Sequence, residues 1–522
     1  MKNVELAAAI CNAMAASGVR EVVVCGGSRN VPFVAVLSAR PDLVVHSFFE
    51  ERSAAFFAIG RSRATNRPVA VVTTSGTAAA ELLPASIEAH YSGTPLLLIT
   101  ADRPRRFRGT GAPQAIEQAG LFGPYAEASV DLEGELSLPP WSHESPYHIN
   151  VCFDEPLLDG EVSASRSASS IPKRDPIYTS AEDAVATIHD FLEGNQRLLL
   201  LLGELDPWDR NAVRDFAQRL GAPVRAEALS GLREDEGLAD LAVRSDRLLA
   251  TAGADAVLRI GGVPTTRIWR ELDNPRQPTA VLSISRLPFS GLSRGAHLTC
   301  NIAEVLPRVT QPPPSQKTWF LEDRGSGAEL DLLLARHPRS EPSIFRKLSE
   351  TIPPGSLVYL GNSLPIREWD LAASPRDSRF ELRASRGANG IDGQLSTFFG
   401  YVSEGREHWC IVGDLTAMYD LAAPWILSSI PGTIRIVVIN NGGGRIFSRV
   451  PATRSLSTPV RETLVENRHS FDFRAWASMW RIDYSQSLDD ARSAERIVLE
   501  LQPDADQTEA FWVEYDGSGR KG

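Results

Sequence analysis

The chain alternates short apolar runs with stretches of helical spacing. In residues 1–100 the runs lie at 21–25, 43–47, 68–74 and 95–100, each rich in Val, Leu or Ile. Helical patterns fill 31–39, 50–65 and 76–91, and an N-terminal helix precedes the first run. Unbroken apolar runs separated by helices predict βαβ units and a parallel sheet covered on both faces. The polar stretch "GEVSASRSASSIPKRDP" (160–176) reads as a linker. A second rhythm follows, with strands expected at 197–203, 256–262 and 279–285. "VTQPPPSQK" (309–317) reads as the next linker, stiffened by three prolines. A third block has strands expected at 356–361, 379–384, 408–414, 433–440, 481–486 and 510–516. The expected class is therefore α/β, with three doubly wound parallel-sheet domains at 1–165, 178–310 and 335–522.

Composition narrows the chemistry. A chain of 522 residues is too long for one core. A net charge of −11 argues against nucleic acid or a membrane surface as partner. No apolar run reaches the roughly 18 residues of a membrane span. The five cysteines are scattered, without a CxxC or Cys/His cluster, so neither a disulfide scaffold nor a zinc site is expected. A reducing, cytoplasmic setting fits. The five lysines (Lys2, Lys173, Lys317, Lys347, Lys521) avoid glycine-rich strand-to-helix turns, which excludes a P-loop and leaves no good Schiff-base lysine. "CGGSRN" after the first strand does not fit the GxGxxG of a nicotinamide site. The nine histidines gather in no motif and read as structural.

Ligands of such sheets sit beyond the carboxyl ends of the strands. The strongest signal there is "GDLTAMYDLAAPWILSSIPGTIRIVVINNGGG" (413–444). One strand ends at Gly413-Asp414, and the next ends at Asn440-Asn441-Gly442-Gly443. In a parallel sheet both turns open at one edge, bringing Asp414, the Asn441 side chain and a backbone carbonyl together as hard oxygen ligands for magnesium. A helix N-cap beside an unrelated Asn-Gly turn explains either element alone, but not the pair one βαβ unit apart. Glu50 and Glu51 form a second oddity, an acid pair flanked by Phe48, Phe49, Phe56 and Phe57. A charged first turn favours the helix dipole, and that reading suits Glu50. Arg29, Arg103, Arg367 and Arg386 each follow an expected strand, near glycine or proline. Arginine there suits carboxylate ligands.

The spacing from Gly413-Asp414 to Asn440-Asn441 resembles the metal and diphosphate motif of thiamine-diphosphate enzymes. "GGSRNVPF" (26–33), "FFEERSAAFFAIG" (48–60), "TTSGTAAAELLPASIEA" (73–89), "LITADRP" (98–104) and "APQAIEQ" (112–118) look like one family in particular, the 2-succinyl-5-enolpyruvyl-6-hydroxy-3-cyclohexene-1-carboxylate synthases of menaquinone biosynthesis. "GNSLPIR" (361–367), "SRGANGIDGQLST" (385–397), "GDLTAMYDL" (413–421) and "NNGGGRIFSRVP" (440–451) match that family's third domain. Ser385, Pro113, Gly442 and Ile268 depart from its pattern.

The resemblance implies a pyrimidine-binding first domain, a central domain and a diphosphate-binding third domain. It implies thiamine diphosphate with Mg2+ or Mn2+, the metal held by Asp414, Asn441 and Gly443. Glu51 would be the catalytic acid, exchanging a proton with the pyrimidine ring from an apolar setting. Ser75, Gly76, Ile391, Gly413, Leu415 and Ile446 would complete the cofactor contacts, Ile391 holding the bent form. Two dicarboxylate substrates are implied, 2-oxoglutarate as donor and isochorismate as acceptor. Arg29, Arg103, Arg267, Arg367 and Arg386 would bind them, with polar contacts from Ser28, Gln114 and Ser363. Ile446, Phe447 and Val450 would form an apolar wall. The implied reaction decarboxylates 2-oxoglutarate and adds the succinyl-semialdehyde unit to isochorismate in a 1,4-addition. A homodimer or homotetramer is implied, with sites at the subunit interface. The rival readings are another thiamine-diphosphate-dependent 2-oxoacid decarboxylase or carboligase, and a non-catalytic homologue acting as a binding subunit.

Overall fold

The computed structural model describes residues 1–162, 170–195, 197–244, 253–274, 279–310, 326–374 and 380–518. Its apolar runs build three parallel sheets. The first contains β1 (Glu21–Cys25), β2 (Val44–Phe48), β3 (Val69–Thr73), β4 (Leu96–Asp102), β5 (Ala128–Leu132) and β6 (Tyr147–Cys152), in the order β2-β1-β3-β4-β6-β5. The inner strands β1, β3, β4 and β6 are buried at every position, as parallel strands covered on both faces must be. The second contains β7 (Leu198–Leu202), β8 (Val224–Ala226), β9 (Ala256–Ile260), β10 (Ala280–Ser285) and β11 (Ala296–Thr299), ordered β11-β10-β9-β7-β8. The third contains β12 (Leu357–Leu360), β13 (Glu381–Arg383), β14 (Glu407–Gly413), β15 (Thr433–Ile439), β16 (Asp483–Ser485) and β17 (Arg496–Leu501), ordered β13-β12-β14-β15-β17-β16.

The first and third sheets share one strand order, with β13, β12 and β14 standing where β2, β1 and β3 stand. In each, the chain switches direction across the sheet between two inner strands, β1 and β3 or β12 and β14. A crevice opens outside the carboxyl ends of strands at such a switch point. The loops there carry Ser28, Arg29, Ser75 and Gly76 in the first sheet. In the third they carry Ser363, Gly413 and Asp414.

By contacts the chain forms two compact units. One is Met1–Pro176 with Ser385–Gly405 and Thr416–Gly432; the other is Ile177–Ala384 with Arg406–Leu415 and Thr433–Gly522. In the first unit the helix Glu51–Thr65 crosses the helix Gln394–Tyr401 closely. A Cβ on Gly60 would lie 2.0 Å from the Thr397 carbonyl oxygen, so only glycine permits the crossing.

Some expectations need correction. Residues 510–516 are not a strand but part of the helix Ala505–Ser518. The place beside β15 is taken by β17. Phe511 and Tyr515 stack at helical spacing with ring centroids 5.9 Å apart, while Val513 is exposed. The helix expected over 76–91 is two, Thr77–Ala80 and Leu83–Ser92, with Pro84 opening the second. The structure adds β5, β6, β8, β11 and β17, of which β8 and β11 are short and β5 and β6 carry polar residues. Residues 163–169 and 311–317 of the expected linkers lie outside the described residues. Among the described residues no helix is long and apolar enough to cross a membrane.

Candidate active site

In the first unit the loops after β1, β3 and β4 are held by side chains. Asn30 folds the loop after β1: its amide donates to the Cys25 carbonyl at 2.8 Å and accepts the Gly27 N–H at 2.9 Å. Ser28 lies in this loop. Arg29 is nearly buried and donates to the Phe153 carbonyl at 3.0 Å, with Glu155 3.3 Å away. After β3, Ser75 is buried and Gly76 has φ +78°. The Gly76 N–H donates to Gln118 Oε1 at 2.7 Å, and a Cβ on Gly76 would stand 3.1 Å from Gln114 Cα. Gln114 is itself left-handed, φ +53°. After β4, Arg103 Nε donates to the Pro113 carbonyl at 2.9 Å. Gly76, Arg103 and Gln114 are thereby brought together. Gln118, which sequence reasoning missed, is fully buried and ties this group to Asn150 on β6 at 2.8 Å.

Glu51 opens the helix that follows β2. Its neighbour Glu50 is the N-cap, accepting the N–H groups of Arg52 and Ser53 at 3.0 Å each. Glu51 is left half-buried, and among the described residues its carboxyl meets only its own backbone N–H. Burial pushes that carboxyl above its ordinary value, and the charges of Glu50 and Glu81 add to the rise. Phe48, Phe56 and Phe57 are buried nearby, but Phe49 is 56% exposed and packs edge-to-face on Trp425. The apolar setting is thus three phenylalanines rather than four.

Two carboxylates missed in the sequence frame the neighbouring segment. Asp420 is fully buried. It accepts Arg52 Nη1, Gly393 N–H and Leu395 N–H, each at 2.9 Å. It thereby caps the helix Gln394–Tyr401 and ties it to the residue after Glu51. Glu88, also buried, accepts Gly387 N–H at 2.8 Å and Ala388 N–H at 2.7 Å. The segment between these clamps carries Ile391, and Arg386 adjoins it. Burial raises both carboxyls, and the amides and arginines around them pull back.

In the second unit β14 and β15 pair in parallel, with Gly413 opposite Ile439, so both turns open at one edge. Asp414 Oδ1 accepts the Leu415 N–H at 2.6 Å, and Oδ2 accepts Gly442 N–H and Gly443 N–H at 2.9 Å each. Burial raises the Asp414 carboxyl, while these amides and His469 pull it back. Gly443 has φ +129°, and a Cβ there would lie 2.6 Å from the Glu466 carbonyl oxygen, so the turn requires glycine. Asn441 gives its NH₂ group to both Glu341 oxygens at 3.2 and 3.1 Å. A carboxylate accepts, which fixes the amide's orientation. Asn441 Oδ1 is left buried with no hydrogen-bond partner. A buried, unsatisfied amide oxygen in the turn that Asp414 anchors is a donor of the kind a hard cation takes. Among the described residues no group of three or more His, Cys, Asp or Glu side chains could hold a metal, so such a site would join a single carboxylate to amide and backbone oxygens.

The remaining expected residues divide. Ser363 has φ +72°, and its carbonyl accepts Arg367 Nη1 at 2.5 Å, so these two form one corner after β12. Ile446 lies in the turn Arg445–Arg449, while Phe447 and Val450 are 39% and 38% exposed. Arg267 is on the surface, ion-paired with Glu271 one helical turn on. His469 stands 3.3 Å from Asp414 and is nearly buried, although the histidines read as structural. Glu341 and His469 carry no sequence signal. Asp420, Glu88 and Gln118 lie inside the quoted motifs and were discernible there as unassigned polar positions.

Comparison with known proteins bears on this arrangement. Residues 4–121 match the family described as thiamine pyrophosphate enzyme, N-terminal TPP binding domain. A 2-succinyl-5-enolpyruvyl-6-hydroxy-3-cyclohexene-1-carboxylate synthase of Bdellovibrio bacteriovorus is 41% identical, the match covering 99% of each chain. The synthase of Akkermansia muciniphila is 41% identical over 94% of this chain and 95% of its own. That of Chloroflexus aurantiacus is 33% identical over 92% and 89%. In fold the chain is similar to the X-ray structure of a proposed thiamin diphosphate-dependent enzyme isolated from Mycobacterium smegmatis. The TM-score is 0.67 at 18% identity, covering 96% of this chain and 99% of that one.

Proposed function

The chain belongs to the 2-succinyl-5-enolpyruvyl-6-hydroxy-3-cyclohexene-1-carboxylate synthase family, and from that membership we propose that it joins 2-oxoglutarate, with loss of carbon dioxide, to isochorismate. The product is the compound for which the family is named, made in menaquinone biosynthesis. The chain is a thiamine-diphosphate-dependent enzyme. That cofactor, when bound, supplies the nucleophilic carbon and electron sink that no side chain offers. The observation that carries the reading is a likeness running over 99% of both chains.

The chain's own residues have these proposed roles. Asp414, Asn441 Oδ1 and the Gly443 carbonyl hold Mg2+ or Mn2+, and the unsatisfied Asn441 oxygen supports this. Gly413, Leu415 and Ile446 contact the cofactor beside them. Ser75, Gly76 and Ile391 are the first unit's proposed cofactor contacts. Glu51 holds a proton on its carboxyl and exchanges it with the pyrimidine ring, a task that a raised pKa favours. Arg29, Arg103, Arg267, Arg367 and Arg386 bind substrate carboxylates, with Ser28, Gln114 and Ser363 as neutral partners. Phe447 and Val450, both partly exposed, exclude water from the acceptor's ring. The ranges 1–165, 178–310 and 335–522 act as pyrimidine-binding, central and diphosphate-binding domains. The working form is a cytoplasmic homodimer or homotetramer with sites shared between subunits.

The test is mass spectrometry of the product formed from 2-oxoglutarate and isochorismate with thiamine diphosphate and magnesium. The named product supports the proposal. Carbon dioxide release without coupling to isochorismate indicates a carboligase of other acceptor choice, and no carbon dioxide indicates a non-catalytic homologue.

A further inference from the structure

Among the described residues, the central sheet carries a buried cation with no counter-charge acting on it. Arg259 on β9 is 0% exposed. It faces the layer formed by Leu199, Leu201, Val257, Trp269 and Val281, in one row with Leu201 on β7, Ser283 on β10 and His297 on β11. Its Nη2 donates to the Phe289 carbonyl at 3.1 Å and reaches Ser285 Oγ at 3.5 Å. Among the described residues, its Nε and Nη1 have no hydrogen-bond partner. The guanidinium lies 5.4 Å from the ring centroid of Trp269. Burial lowers its pKa to about 10 with no carboxylate acting on it, so it stays charged at neutral pH.

The surroundings add more unmet polar atoms. Trp269 Nε1 and Ser283 Oγ are buried without partners. His297 places Nε2 2.9 Å from the Leu287 carbonyl, which assigns the proton to that nitrogen in the neutral ring. Arginine cannot shed its charge, and an isolated ion in a dry interior costs far more than one stacked indole returns. Water could satisfy the N–H groups, but it would leave the charge unbalanced.

We propose that this face of the central sheet is an anion site, in which Arg259, the indole N–H of Trp269 and the Ser283 hydroxyl take one small monoanion. A halide ion and the carboxylate of a small organic acid share the required chemistry. One charge suffices, because the other arginine of the row, Arg225 on β8, interacts with Glu227 and Asp370, whereas among the described residues no carboxylate acts on Arg259. The site is independent of the cofactor and of the reaction proposed above.

Thermal unfolding of the full chain tests it, with sodium chloride or sodium formate exchanged for sodium sulfate at constant ionic strength. The unaltered chain gains about 3 °C, saturably, with chloride, formate or both, and Arg259→Met shows no such gain. A chloride-only response identifies a halide, and a formate-only response a carboxylate. No saturable response in the unaltered chain, or an equal response in Arg259→Met, overturns the proposal. Crystals of the unaltered chain soaked in sodium bromide decide the matter should the variant not fold. An anomalous peak within about 3.5 Å of Arg259 Nη1 and Trp269 Nε1, or formate density there in crystals soaked in sodium formate, supports the site, and the absence of both overturns it.

Discussion

Glu51 and Asp414 are both acids at the start of a helix that follows a parallel strand, and burial raises the carboxyl pKa of each. Their surroundings then diverge. Asp414 spends both oxygens on the amides of Leu415, Gly442 and Gly443, which fix its direction. Glu51 has no such partner among the described residues, and its neighbours do the holding instead. Glu50 caps the helix and Arg52 is tied to Asp420. One desolvation penalty thus serves two ends. Fixed amides offset it at Asp414, and it is left standing at Glu51, as the proton exchange proposed for that residue requires.

Breaking the frame around Glu51 gives the largest effect. Asp420→Ala removes three hydrogen bonds and strands the Arg52 guanidinium, which costs about 3–5 kcal/mol, read by urea unfolding. An unchanged midpoint would mean that the clamp is not part of the frame. Next comes the metal turn. Asp414→Ala weakens magnesium and cofactor binding by at least about tenfold to a hundredfold, measured by calorimetry; unchanged affinity would remove Asp414 from the metal set. The smallest effect sharpens the contrast most. Because folding raises the Glu51 pKa, its ionised form destabilises the native state. That cost is absent below the unfolded value of about 4.3 and grows as pH rises toward the folded value. Glu51→Gln removes it, so the variant melts up to about 2 °C above the unaltered chain at pH 8 and level with it at pH 4. A variant less stable at pH 8 would deny that Glu51 bears an uncompensated penalty.

Much of this was legible in the sequence because parallel strands buried on both faces leave unbroken apolar runs, and β1, β3, β9, β12, β14 and β15 all stood out. β5 and β6 did not, since "ASVDL" and "YHINVC" carry the polar network around Asn150. The C-terminal helix misread as a strand because Phe511, Trp512, Val513 and Tyr515 are apolar in near succession, and only packing separates the two periods. The turn at Asp414 and Asn441 was visible because both of its parts follow adjacent strands. The supports were not: Glu341 lies 100 residues from Asn441, and Glu88 lies 299 from Gly387. Pairings of that span follow from folding rather than from local spacing.

The most direct measurement compares Glu51→Gln with the unaltered chain in carbon dioxide release from 2-oxoglutarate, with thiamine diphosphate affinity measured alongside. The account predicts affinity within a few fold and release lower by about a hundredfold or more. Release near the unaltered rate, with the cofactor bound, would contradict it.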